Sequence, residues 1–91
     1  MSQIFISYTL RKQDHDYSKL TGRIQELGPK HWHGMDSTWI VISSLSALEV
    51  RDKLAPLLDA SDELLVIDIT GDAVAWGGFN NEGSNWLKEN C

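Results

Sequence analysis

The feature that most constrains this 91-residue chain is the order of its segments: strand, helix, strand, strand, helix, strand. In "QIFISYT" (residues 3–9), Ile4, Ile6 and Tyr8 fall on one side of an extended chain and Phe5, Ser7 and Thr9 on the other. In "DYSKLTGRIQELG", Tyr17, Leu20, Ile24 and Leu27 recur at helical spacing. Asp14 or Asp16 is placed to cap that helix, and Gly28-Pro29 to end it. "KHWHGMDSTWIVIS" reads as a hairpin turning at Gly34 to Asp36, its exit strand rich in β-branched residues. "SALE" is a capping box, with Ser46 as cap and Glu49 as its reciprocal partner. The helix it opens buries Ala47, Val50, Leu54 and Leu57 or Leu58, and Pro56 predicts its end near Ala55. "LLVIDIT" is the strongest strand, with Asp68 turned to water. "GDAVAWGGF" is ambiguous, part of it reading as a short edge strand, and Ser84 is placed to cap a terminal turn or helix, "NWLKEN".

Two strand–helix units joined by a hairpin predict an α+β, ferredoxin-like βαββαβ sandwich in a single domain over residues 1–91, with a short C-terminal extension. A four-stranded antiparallel sheet would carry both helices on one face and leave the other open. Phe5 lies opposite Ile4, Ile6 and Tyr8, and Trp39 and Val41 lie opposite Ile40 and Ile42, so both faces of these strands carry large apolar groups. An open apolar face calls for a partner. The expectation is a homodimer, with Phe5, Trp39, Val41 and Trp76 at its interface.

Composition narrows the function classes. The 42% hydrophobic and 23% charged content suits a globular chain and argues against disorder. No apolar run approaches the roughly 18 residues that span a bilayer, so no membrane partner is expected. "MSQIFISYT" has neither a basic stretch nor a cleavage site, which predicts no secretory signal. Cys91 is the sole cysteine, so no intrachain disulfide can form, and a cytoplasmic location is expected. Residues 1–43 carry five Lys/Arg against four Asp/Glu, whereas residues 44–91 carry three against nine. The overall field of this acidic chain does not attract phosphate backbones, so RNA or DNA contact would be local to the N-terminal half.

"FISYTLRKQDHDYSKL", "STWIVISSLSALEVRDKL", "DELLVIDITGDAVAW" and "NWLKEN" closely resemble segments of small bacterial proteins of the SinR-family or CRISPR-adaptation-like kind, distant relatives of VapD toxins. The resemblance covers nearly the whole chain in the same segment order. It implies a ferredoxin-like homodimer related to the small nuclease-like subunit of the spacer-acquisition complex. In the nuclease-like relatives an Asp after the first strand is held to bind metal across the dimer; "SYT" puts Thr9 at that place. A neutral hydroxyl cannot supply the charge a hard divalent cation requires. The expectation is therefore a protein without metal nuclease activity, acting in assembly or weak nucleic-acid association. A toxin-like endoribonuclease and a small-molecule- or protein-binding regulatory domain are the alternatives.

The remaining candidates are few. Arg11 and Lys12, joined by Lys30, form a small basic edge suited to phosphate contact or simply to solvation. Tyr8 and Trp32 are near it for base stacking, although core or dimer contacts are preferred for them. His31 and His33 stand at i, i+2 on one face of a strand, with Asp36 as the nearest third donor; a surface or interface role is preferred over zinc. Arg51 and Asp52, adjacent on a helix, are not expected to face each other, and Arg51 is expected to reach Asp14, Asp16 or the strand end. No phosphate-loop pattern, calcium-loop spacing or nucleophile–base set is present, so no cofactor, metal or catalytic residue is assigned.

Overall fold

The computed structural model describes residues 1–12 and 16–91. Strand β1 (Ser2–Thr9) is followed by helix α1 (Ser18–Gln25), the hairpin β2 (Lys30–Met35) and β3 (Thr38–Ser43), and helix α2 (Ala47–Leu54). A 3₁₀ turn (Ala55–Leu57), strand β4 (Glu63–Asp68) and helix α3 (Asn81–Asn90) complete the order. The sheet runs β2-β3-β1-β4 with every neighbouring pair antiparallel. This α+β architecture is compatible with the expected ferredoxin-like arrangement.

Most boundaries follow from local chemistry. The Asp16 carboxylate accepts the Ser18 amide at 2.9 Å in the turn that enters α1, but the N-cap position is Tyr17 and carries no side-chain cap; Asp14 lies outside the described residues. Beyond α1 the chain presses Gly28 against β3: a Cβ there would stand 1.8 Å from the Ile42 carbonyl oxygen, so only glycine fits. Both halves of the Ser46/Glu49 capping box form, each at 3.1 Å. The α-helix stops at Leu54, and Pro56 sits in the 3₁₀ turn that follows.

The hairpin turns at residues 36–37, later than the sequence reading, and Gly34 belongs to β2. A register shift between Trp32 and Met35 bulges that edge strand. The Trp32 indole folds over Gly34, where a Cβ would meet the ring at 2.1 Å.

Ile4, Ile6 and Tyr8 of β1 pack with Trp39 and Val41 of β3, Leu20 and Ile24 of α1, and Val50 and Leu54 of α2 to form the main core. Trp39 donates its indole N–H to the Tyr8 hydroxyl at 3.1 Å, satisfying a polar atom buried in this layer. The Ser43 hydroxyl donates to the Leu27 carbonyl (2.6 Å) and accepts the Leu45 amide (3.1 Å), tying the end of α1 to the end of β3.

The opposite face departs from expectation. The last helix begins at Asn81 rather than near Ser84, capped by Asn80, whose side-chain oxygen accepts the Gly83 amide at 2.7 Å. It lays Leu87, 2% exposed, on Trp32 and Ile40, with Phe5, Ile69, Trp76, Phe79 and Trp86 around them. The C-terminal segment is thus a third layer over part of the face that was expected to be bare. The stretch 71–79 contains no strand; it is irregular, with Gly71 and Gly78 at φ of +78° and +81°. Gln3 anchors the layer: its amide donates to the Thr70 hydroxyl (2.8 Å), its carbonyl accepts the Ile69 amide (2.8 Å) and its side chain donates to the Asn90 carbonyl.

Candidate functional site

The C-terminal end of β1 is the first place to look for chemistry. Thr9 is exposed there and lies directly opposite Glu63 of β4. The nearest carboxylate in register is therefore supplied by the neighbouring strand, and Glu63 is held in an ion pair with the Arg11 guanidinium. Asp62, one residue earlier, accepts three hydrogen bonds: from the Tyr17 hydroxyl (2.6 Å), the Arg11 amide (2.8 Å) and the Asp59 amide (2.8 Å). Lys12 reaches Asp59 at 3.5 Å. These contacts join the exit of β1, the entry to α1 and the entry to β4 in one clasp.

The clasp sets the charge state of its acids. Desolvation pushes the Asp62 carboxyl up, but the hydrogen bonds from Tyr17, Arg11 and Asp59 outweigh it, leaving the group below the ordinary carboxylate range. Hydrogen bonds from the Ser61 hydroxyl and amide lower Asp59, with Lys12 adding to the effect. Desolvation and the Asp62 contact raise the Tyr17 phenol. A carboxylate lowered in this way is a settled acceptor, the opposite of what a general acid needs near neutral pH.

The basic edge does not assemble. Arg11 and Lys12 are partnered by Glu63 and Asp59. Lys30 pairs with Ile42, which pairs with Gln3, so it stands at the other end of the sheet and on the far edge strand. Tyr8 belongs to the main core and Trp32 to the opposite face.

His31 and His33 do share a face, and the residue they flank is Trp39. The His33 ring stacks on the indole at 3.7 Å and 10°, while the His31 ring is tilted at 5.6 Å. His33 Nε2 meets the Asp36 carbonyl at 3.0 Å, not its carboxylate. Among the described residues no three His, Cys, Asp or Glu side chains gather as a metal-ligating group. Arg51 contacts its neighbour after all, with Nη2 and Nε 2.7 and 3.1 Å from one Asp52 oxygen, both side chains curling outward on the exposed helix surface.

The four interface candidates separate. Trp39 and Val41 are 1% and 0% exposed within the single chain, packed under α1 and α2. They point to the helix side because Trp39 pairs with Ile6 and Val41 with Ile4 across β1, and directly paired residues share a face. They have no surface to give a partner. Phe5 and Trp76 lie on the opposite side, in the layer closed by α3.

Two surfaces remain. The first is a groove of about 520 Å³ between that sheet face and the irregular segment, walled by Phe5, Trp32, Ile40, Trp76 and Phe79. The second is the outer edge of β4, which pairs with β1 alone. Leu65 and Ile67, 55% and 41% exposed, lie on the sheet face of Ser7 and Phe5 with which they pair, and Leu48 of α2, 59% exposed, borders the same hollow as Leu65. None of the three is among the interface candidates that the sequence offers. The signal was present, since an unbroken apolar run such as "LLVID" cannot hide both its faces on an edge strand.

Comparison with protein-family models, with curated proteins and with solved structures finds no match for this chain. Among the described residues no helix is long and apolar enough to cross a membrane.

Proposed function

We propose that this protein is a ferredoxin-like assembly module of the CRISPR-adaptation-like kind, a homodimer that holds partners together and does not cut nucleic acid. The observation that carries the reading is the β4 edge. An edge strand with one side open, Leu65 and Ile67 exposed on one of its faces and Leu48 bordering the same hollow as Leu65, is an apolar surface of the sort that seeks a second chain. The non-catalytic half rests on Thr9, at the place where nuclease-like relatives carry a metal-binding Asp. The one carboxylate facing it, Glu63, is already neutralised by Arg11. With Arg11 and Lys12 both engaged, assembly is favoured over phosphate contact.

The test combines mass and activity. Light scattering on the purified chain should give a dimer, and the double substitution Leu65→Lys with Ile67→Lys should return a folded monomer by placing like charges on the edge. In the presence of magnesium or manganese, neither RNA nor DNA should be cleaved. A monomeric wild type at high concentration sinks the assembly reading. Cleavage that follows the protein through purification and disappears in Asp16→Asn sinks the non-catalytic one and points to a toxin-like endoribonuclease.

A further inference from the structure

The groove between the sheet and the 73–79 segment contains none of the clasp residues and neither Leu65 nor Ile67. Its volume, about 520 Å³, lies within the range of small-molecule sites, roughly 300 to 1,000 Å³. Its lining has two properties that select a ligand. None of the side chains around it is charged, although the chain as a whole carries a formal charge of −5. Desolvating an ion there would go uncompensated, so a charged molecule is excluded by cost. Four of the walls are aromatic: Phe5, Trp32, Trp76 and Phe79. Trp32 and Phe79 already meet edge to face at 5.1 Å and 61°, which fixes the two rings relative to each other. One hydroxyl borders the space, that of Thr38, a residue only 9% exposed.

We infer that this groove binds an uncharged aromatic small molecule carrying one hydrogen-bonding group, its ring against the Trp32, Trp76 and Phe79 walls and its polar group toward the Thr38 hydroxyl. Aromatic walls favour a flat π-system over an aliphatic chain of equal area, because offset and edge-on ring contacts add to simple burial. A buried hydroxyl in an otherwise apolar site discriminates between ligands that satisfy it and those that leave it unpaired. The groove adjoins the β4 surface, since Ile67 pairs with Phe5 and shares its face, so the mass measurement below separates this inference from the homodimer reading.

The experiment is calorimetric titration of the full chain with 2-naphthol, which is neutral at pH 7, and with naphthalene, which lacks the hydroxyl. The expected result is one equivalent of 2-naphthol bound, with naphthalene and the Thr38→Val variant each about fivefold weaker, the worth of a single hydrogen bond. Ala75 lines the groove and is exposed, so Ala75→Trp fills the space without removing a buried contact. It should weaken binding by at least about tenfold, whereas Ala60→Trp, on the exposed turn before β4, should not. Unchanged thermal melting shows that both variants are folded; if Ala75→Trp is not, Ala73→Trp on the same wall takes its place. Unchanged affinity in the filled variant, or binding of several equivalents, overturns the assignment. So does a change in mass by light scattering on filling the groove, which would make it a contact between copies of the chain.

Discussion

Asp62 shows how much a single carboxylate can organise. It collects hydrogen bonds from two distant segments and from its own loop, and its Asp59 and Ser61 neighbours repeat the pattern on a smaller scale. Asp68 does the same with the Thr70 hydroxyl and amide, at 2.6 and 3.0 Å. All three carboxyls sit below their ordinary pKa in the folded chain. The unfolded chain therefore binds protons more readily, and the stability these groups contribute is fully present above the ordinary Asp value near 3.9 and is lost as pH falls through the folded values. Melting temperature should accordingly hold steady from neutral pH toward about pH 5 and then decline in acid. Asp62→Asn should melt lower than wild type at neutral pH and show a shallower acid decline; an unchanged acid profile would remove the clasp from the account. Nothing in the spacing of Asp59 and Asp62 along the sequence reveals that Tyr17 and Arg11 fold back onto Asp62.

At the scale of elements, the capping box, the Pro56 stop and the alternation of β1 were legible because each depends on residues within a few positions of one another. The C-terminal helix was underestimated for the same reason. "NNEGSNWLKEN" has only Trp86 and Leu87 as large apolar groups, and a helix this short has little stability without a surface to pack on. That surface is the sheet. Leu87→Ala should cost about 2 to 5 kcal/mol, as loss of a fully buried leucine does, measured by urea denaturation. It should also expose the indole of Trp32 and shift the tryptophan emission to longer wavelength. A cost well below 1 kcal/mol would mean that α3 does not hold its place over the sheet.

For the whole molecule, charge and edges matter more than any one contact. The acidic C-terminal half supplies the partners that neutralise Arg11 and Lys12 at the end of β1. Arg11→Ala should thus lower the melting temperature and leave mobility-shift titrations with single-stranded RNA at low salt unchanged. A loss of RNA binding in this variant would restore the phosphate-contact reading. The two sides of the sheet have become unequal. One is closed by α1 and α2, the other partly by α3, and Leu65 and Ile67 of β4 stay exposed beside it.

The sequence by itself determined the succession of strands and helices, the caps and stops, and the absence of a carboxylate at the end of β1, since these are set by neighbours along the chain. It could tell that both faces of the strands are apolar, but not what covers them. Only the tertiary structure decided that Trp39 and Val41 turn inward under the helices and that the chain's own last helix lies across Phe5. It also decided that Leu65 and Ile67 are left at the rim. Which face a residue occupies depends on strand register and on segments tens of positions away, and no local pattern carries that information.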